Sequence, residues 1–455
     1  MASSRRLPEA GMVEVLDGPP TAASSAAHLV DRARGLAERL PGARIPAVAA
    51  WRARGAETFA AQGFPTRRVE AWKYTDLAVL RETRFEEPIL AADIRPAFVP
   101  EGDGPRLVLI DGRVRRDLSS PAEPAPGVAL ASLAGLLQAG EAEVVAALGR
   151  LAPEALPLPA LNAALAEDGA VIRVADGVDA GTIRLLSYAS ARAGHPVAFH
   201  PRHLIRLGRN ARLVLVEESR GEGEGFAWHN AVSEILLGPG ARLVHIRLQD
   251  EPLSAAHTAT LAVRVEAGAE YDSFTLIMGA RLTRNEVHAE LAGPHAALHL
   301  NGAQLVDGAR HADTTTVIEH AAPDCASRQT VKTVLAGRAR GVFQGKIHVH
   351  RAAQKTDGYQ MNQALLLSPE AEIDAKPQLE IYADDVKCSH GATVGELDHE
   401  ALFYLRSRGI PEAEAKSILV QAFLDDAVSL VADETLRERL HAETVAWWRR
   451  VEHGG

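Results

Sequence analysis

The chain has 455 residues, about three times the roughly 150 residues of a typical domain, which predicts a core with appended domains. Its 47% hydrophobic and 24% charged residues exclude a disordered, collagen-like or coiled-coil protein. A net charge of -10, with no basic tract to offset it, argues against nucleic acid as a partner.

The first residues do not show the pattern of a secretory signal peptide. Arg5 and Arg6 are not followed by an apolar run of signal-peptide length, and no later stretch reaches the roughly 18 uncharged apolar residues of a membrane span. We therefore expect a soluble, cytoplasmic protein with no membrane partner.

The first zone of the chain predicts helices. From about Ser24 to Leu80 it is rich in Ala and Arg, and Pro46 stands where a proline starts a helix. Trp51 and Phe59 are eight residues apart and share one helical face. We predict an N-terminal helical domain over residues 1–90.

The next zone, residues 91–169, is punctuated by Pro, Gly and Ala and is predicted to be an irregular approach to the core. Its one strand candidate is Leu107 to Ile110. From residue 170 to 385 the sequence consists of short runs in which apolar residues alternate with polar ones, and Gly, Pro and Asn bound these runs. This pattern is typical of strands.

Four segments of this strand zone repeat one pattern: strand, tight turn, alanine, strand. The repeated alanines are 30, 28 and 27 residues apart and are Ala211, Ala241, Ala269 and Ala296, with a later copy at Ala371. Because no helical stretch lies between copies, each repeat is predicted to be one coil of a β-solenoid. A meander sandwich with coincidental spacing is the alternative.

The tail returns to helical patterning, and we predict a C-terminal helical domain over residues 386–455. Gly409 is placed to end a helix over Asp398 to Arg408, Pro411 to start the next, and Asp433 to precede the last. The apolar face of the middle helix is predicted to comprise Ile418, Leu419, Ala422 and Phe423. That face is expected to pack on the solenoid or on another protein.

The candidate site lies at the junction of the strands and the tail. Cys388 and His390 are two residues apart, so on an extended segment both point the same way, and thiolate plus imidazole suits iron, zinc or copper(I). Lys387 is expected to lower the pKa of the thiol. A nucleophilic cysteine with His390 as base, or a structural cysteine in a turn, are the alternatives.

Other candidates carry less chemistry. His348 and His350 share a strand face, a pair more typical of a polar surface than of a metal site. Cys325 is predicted to be structural, and two cysteines exclude both a disulfide framework and a self-sufficient all-cysteine metal site. The chain lacks a phosphate-binding loop and a dinucleotide fingerprint, so nucleotide hydrolysis by this chain is not supported.

The run Lys376 to Gly395 resembles the signature of the SufD family of the SUF iron-sulfur cluster assembly system. Leu402 to Ile410 continues it, Pro65 to Thr75 resembles the N-terminal motif of the family, and Gln354 to Asp357 resembles a late core coil. The chain is similar to SufD rather than to its paralogue SufB, which carries a glutamate in the region of His390.

The resemblance implies a mainly β protein: a right-handed parallel β-helix flanked by N- and C-terminal α-helical domains. It also implies a heterodimer with a SufB-like paralogue and a SufC-like ABC ATPase bound by the C-terminal helices. ATP hydrolysis by that ATPase would move the two β-helix subunits relative to each other. Residues expected at the ATPase contact are Phe403, Arg406, Ile418 and Phe423.

By the same resemblance, Cys388 and His390 fall at the SufB interface and take part in building the nascent cluster. The chain would then be a non-catalytic scaffold with a transient iron-sulfur cluster shared with its partner and none bound alone. Two alternatives remain, a carbohydrate-active enzyme on a β-helix and a purely structural solenoid. The 5% aromatic content is too low for a sugar-stacking groove.

Overall fold

The computed structural model describes residues 22–88, 94, 96, 104–120 and 124–454. Residues 1–21 and 89–90 of the predicted N-terminal domain lie outside the described residues, as do 91–93, 95, 97–103 and 121–123 of the zone that follows. No helix in the described ranges combines the length and the apolar character needed to span a membrane.

The N-terminal zone is helical, as predicted. Its helices are α1 Ala22–Leu36, α2 Pro46–Gln62, a short 3-10 helix Glu70–Trp72, and α3 Ala78–Glu82. Pro46 opens α2, and Trp51 and Phe59 on that helix are both buried. Leu29 of α1 and Phe59 join one apolar cluster with Trp228, which lies in the strand zone, so these helices pack directly on the core.

The zone predicted to be irregular is more ordered than expected. It contains β1 Arg106–Ile110, β2 Arg113–Val114, β3 Val128–Ser132, α4 Leu133–Ala139, α5 Ala142–Ala147 and α6 Pro157–Leu165. The strand candidate Leu107 to Ile110 is confirmed in β1. The helices were missed because α4 and α5 are at most seven residues long, while α6 is buried on every side and therefore shows no amphipathic period.

The core is a parallel β-solenoid of about eight turns, which confirms the predicted fold class. Its strands are β4 Ala170–Val174, β5 Asp179–Ala189, β6 Val197–Phe199, β7 Arg202–Leu207, β8 Arg212–Gly221, β9 Ala227–Leu237, β10 Arg242–Asp250, β11 Ala255–Val265, β12 Glu270–Ile277, β13 Leu282–Leu291, β14 Ala297–Val306, β15 His311–His320, β16 Ala326–Leu335, β17 Arg340–Val349, β18 Thr356–Leu366, β19 Glu372–Ile381 and β20 Val386–Gly395.

Each complete coil contributes one strand to each of two sheets. Sheet I has the order β19-β17-β15-β13-β11-β9-β7-β4-β3, with β6 beside β9. Sheet II has the order β2-β1-β5-β8-β10-β12-β14-β16-β18-β20. The pairings are parallel except at the first coils, where β2 and β3 run antiparallel to β1 and β4.

The repeated alanines form a buried ladder at the corner that leads from sheet I to sheet II. The strand registers stack Ala211, Ala241, Ala269 and Ala296 in successive coils, and each is at most 1% exposed. Cys325 takes the next position in this ladder, which explains its burial. The predicted later copy at Ala371 belongs instead to the opposite corner, where it stacks on Ala339.

The helical tail begins later than predicted, because residues 386–395 form the last strand, β20, and pair with β18. The tail comprises α7 His399–Ser407, α8 Glu412–Val428 and α9 Glu434–Gly454. Gly409 follows α7 with a φ of 87°, a left-handed conformation that suits glycine.

Helices α8 and α9 lie across sheet II. The buried face of α8 comprises Ala415, Val420, Leu424, Ala427 and Val428. Together with Trp447 and Trp448 of α9 it joins a cluster that includes Ile246 and Phe274 of the sheet. The predicted apolar face was therefore wrong in position, since Ile418 and Ala422 are exposed.

Candidate functional site

The solenoid ends in an open coil. Strands β19 and β20 are the terminal strands of sheets I and II, so each has only one neighbouring strand among the described residues. Neither strand contains a fully buried residue. Pro377 lies within β19, and because proline lacks a backbone N–H, such a position is tolerated only on an edge strand.

Cys388 lies near the start of β20, half-buried against the core of the solenoid. It pairs in register with Gly358 of β18, where a Cβ atom would lie 3.3 Å from the Cys388 sulfur. Glycine at that position therefore gives the thiol its space. The turn into β20 is held by a hydrogen bond of 3.0 Å from the Asp385 N–H to Gln354 Oε1.

The surroundings of Cys388 favour the neutral form of its thiol. Burial raises its pKa, the carboxylate of Asp357 raises it further, and a backbone hydrogen bond involving Gly358 offsets part of the rise. The expected lowering of this pKa by Lys387 is wrong, because Lys387 occupies the alternate, exposed position on the strand. Capture of a metal by this sulfur must release a proton.

His390 is exposed on β20 and, by strand alternation, lies on the same face as Cys388. Its register neighbour on β18 is Gln360, which is fully buried and donates to the carbonyl of Gln378 at 3.1 Å. The Oε1 atom of Gln360 is buried and has no hydrogen-bond donor among the described residues. The end of the solenoid thus presents a thiol, an imidazole and a buried polar acceptor without a described partner.

The expected ATPase-contact residues occupy two environments. Phe403 and Ile418 are 74% and 42% exposed, and Arg406 is also exposed, with its guanidinium 3.4 Å from Glu412. Phe423 is half-buried, and its ring lies under the ammonium of Lys332 from β16 at 4.4 Å. Phe423 therefore helps to hold α8 on sheet II, whereas the other three face outward.

The N-terminal motif clamps the first helices to sheet I. The guanidinium of Arg284 lies 3.9 Å from the ring centroid of Trp72 and donates to Asp313 at 2.6 Å. Thr75 donates to the same carboxylate, and Lys376 of β19 pairs with Glu70. The motif thus connects the N-terminal helices to coils near the open end.

Sequence reasoning missed the polar interior of the solenoid. His245 lies between Glu217, at 3.0 Å, and the hydroxyl of Tyr271, at 2.9 Å, and all three are buried. The one sequence signal that could have revealed these buried polar residues is the occurrence of charged side chains at inward-facing positions of otherwise apolar strands. Sequence reasoning also missed Glu319, whose carboxylate lies between the imidazoles of His348 and His350.

Comparison with known proteins gives consistent matches along the chain. The domain described as "SUF system FeS cluster assembly, SufBD core domain" matches residues 188–423, and the "SufBD protein N-terminal region" matches residues 36–183. The chain is 34% identical over 389 residues to the iron-sulfur cluster assembly protein SufD of Escherichia coli, covering 84% of this chain and 88% of that protein. It is 30% identical to the chloroplastic protein ABCI7 of Arabidopsis thaliana, covering 84% and 82%.

Proposed function

Since this chain belongs to the SufBD family of the SUF iron-sulfur cluster assembly system, we propose that it is the SufD-like scaffold subunit of that system. Its role is in iron-sulfur cluster assembly. In the proposed complex, formed in the cytoplasm, the open coil pairs with a SufB-like subunit and the C-terminal helices bind a SufC-like ABC ATPase. The chain itself catalyses no reaction.

The observation that carries the proposal is the open last coil with Cys388 and His390 on its edge strand. Iron-sulfur clusters usually take four thiolates, and the second cysteine of this chain, Cys325, is buried in the alanine ladder. One thiolate and one imidazole are an incomplete ligand set. The remaining ligands of a nascent cluster would therefore come from a second subunit.

Exposed apolar side chains support two separate interfaces. Ile381, Tyr382 and Val394 lie exposed on the last coil, and Phe403 and Tyr404 lie exposed on α7. Neighbouring exposed apolar side chains, such as the pairs Ile381–Tyr382 and Phe403–Tyr404, are typical of protein-protein contacts. A partner strand on the open coil would also pair the free edges of β19 and β20, which otherwise favour aggregation.

Co-expression with SufB-like and SufC-like proteins tests the complex. We expect affinity purification to yield a stoichiometric complex that includes the ATPase. Phe403→Asp is expected to lose the ATPase and to keep the SufB-like subunit, because the two surfaces are separate. Purification of a stable monomer that binds neither partner would refute the assignment.

Single substitutions test the ligand role. Cys388→Ala and His390→Ala are expected to leave the complex assembled but to lower the cluster formed when it is reconstituted with iron and sulfide, measured by visible absorbance. Ser389→Ala is the matched control, because its side chain alternates to the opposite face of β20. Normal cluster yield in both site variants would show that these residues are not ligands.

A further inference from the structure

A second group of potential ligands lies outside the described site, on the outer face of sheet I. Glu319 of β15 and His348 of β17 are register neighbours in adjacent coils. The carboxylate oxygen Oε2 of Glu319 lies 2.6 Å from His348 Nδ1 and 2.7 Å from His350 Nε2. We call these three residues the Glu319 triad.

The two imidazoles are held in position by their surroundings. Their ring centroids are 4.4 Å apart with an interplanar angle of 30°, and the ring of Tyr382 meets that of His348 at 5.4 Å, edge to face. A backbone hydrogen bond of 3.0 Å from His350 to the His320 carbonyl fixes the chain immediately after β17. The triad is therefore built on paired strands rather than on a free loop.

We propose that the Glu319 triad is a binding site for a divalent transition-metal ion. Two imidazoles and one carboxylate form a donor set that suits Zn²⁺, Fe²⁺ or Co²⁺. The three ligand atoms lie within 4.8 Å of one another. This proposal goes beyond the assembly role and does not depend on it.

The geometry needs little change to accept the ion. Metal–ligand distances near 2.1 Å in a tetrahedral site place ligand atoms about 3.4 Å apart. The Glu319 oxygen would therefore withdraw by about 0.8 Å from His348 Nδ1 and by about 0.7 Å from His350 Nε2. Three protein ligands leave a coordination position open to water.

Accessibility separates this group from a similar one in the interior. His229 and His257 both lie against Glu251, at 3.1 and 2.8 Å, but these side chains are at most 3% exposed, and Gln249 donates to the other Glu251 oxygen. Both oxygens of the Glu251 carboxylate already have partners, and the group is buried away from solvent. The side chains of the Glu319 triad are 23% to 45% exposed, so an ion can reach them from solvent.

Cobalt binding to the full-length chain tests the site. After chelator treatment, Co²⁺ alone is titrated by calorimetry and by its visible absorption bands. We expect the double variant His348→Ala with His350→Ala to bind one equivalent of Co²⁺ fewer than the unaltered chain. The single variant Glu319→Gln is expected to bind that equivalent with lower affinity.

The matched control is His441→Ala, which removes an imidazole that lies 2.9 Å from a single carboxylate, that of Asp425, at similar exposure. It is expected to bind Co²⁺ like the unaltered chain. Circular dichroism and melting curves check that the variants are folded, and we expect them to be unchanged because the triad lies at the surface. An unchanged Co²⁺ stoichiometry and affinity in the double variant would overturn the proposal, as would an equal loss in the control.

Discussion

The ion pair between Arg202 of β7 and Glu234 of β9 holds the segment between α5 and α6 against the first coils of the solenoid. The Arg202 side chain is fully buried, with its guanidinium 2.6 Å from Glu234 and 2.9 Å from Glu154. Glu234 also accepts hydrogen bonds from the backbone N–H groups of Gly149 and Leu151, at 2.9 and 2.7 Å. The perturbation that we consider is Arg202→Met.

Removal of one partner of a buried ion pair costs about 3–5 kcal/mol, because the other charge stays buried. Glu234 keeps its backbone donors after the substitution, so we expect a loss near the lower end, about 3 kcal/mol. Replacing both charges by Arg202→Met with Glu234→Gln removes the stranded charge. The double variant is therefore expected to recover at least half of that loss.

The loss also depends on pH in a defined direction. Burial alone would raise the pKa of Glu234, but Arg202 and the backbone donors outweigh it and the pKa is lowered. Stabilisation from a depressed carboxyl pKa is present above the unfolded pKa and is lost as pH falls through the folded one. Without Arg202 the pKa of Glu234 rises. Acidification therefore reduces the difference in the free energy of unfolding between the Arg202→Met variant and the unaltered chain.

The assay is urea unfolding monitored by hydrogen exchange at the backbone amides of β9 and Leu151. A local probe is needed because a chain of this size does not unfold in one step. Arg34→Met is the control, since Arg34 and its partner Asp31 are 69% and 74% exposed, and no measurable change is expected. The reasoning would be refuted if Arg202→Met lowered the free energy of unfolding by less than about 1 kcal/mol. It would also be refuted if the difference in stability between the variant and the unaltered chain did not decrease on acidification.

Three further predictions follow from burial and charge. The alkylation rate of Cys388 by iodoacetamide should keep rising above pH 9, because burial raises its pKa, and Cys325 should stay unlabelled in the native chain, as mass spectrometry can show. Burial tends to raise the pKa of Glu286, but Arg284 and His288 outweigh it and lower the pKa to about 2. The stabilising contribution of this carboxylate is therefore lost as pH falls from 4.5 towards 2, and Glu286→Gln should lack this component in acid unfolding. Trp447→Ala should cost about 3–5 kcal/mol and speed proteolysis of α8 and α9, because the ring is 1% exposed.

Each of these has a control within the chain. For alkylation it is Cys388→Ala, and native labelling at Cys325 would contradict the burial argument. An identical acid-unfolding curve for Glu286→Gln and the unaltered chain would contradict the second prediction. For the third, Leu430→Ala removes a side chain that is 44% exposed and should leave proteolysis unchanged, so equal effects of the two substitutions would contradict it.

The solenoid could be predicted because one of its corners repeats a tight turn with a buried alanine in successive coils. Ala371 was placed in the wrong ladder because it follows the same kind of tight turn at the opposite corner, where it stacks on Ala339. Helix α6 could not be predicted, because a segment buried on all sides carries no period, and its prolines at 157 and 159 suggested a loop.

The candidate site was predictable in part, because Cys388 and His390 lie within one strand and strand alternation fixes their common face. Contacts between coils were not predictable. Glu319 and His348 are neighbours only through the register of β15 and β17, and coils of unequal length leave that register undefined in the sequence. The half-burial that sets the pKa of Cys388 likewise depends on Gly358 in the preceding coil.

Helices α8 and α9 connect coils that do not touch one another. Arg439 of α9 pairs with Glu218 of β8, and Asp426 of α8 pairs with Lys332 of β16, so the same helical pair is anchored on coils separated by β10, β12 and β14. A bare solenoid transmits force only from each coil to the next and can fray from its ends. Because these two helices link the coils from β8 to β16 directly, we expect those coils to resist separation and fraying as one unit.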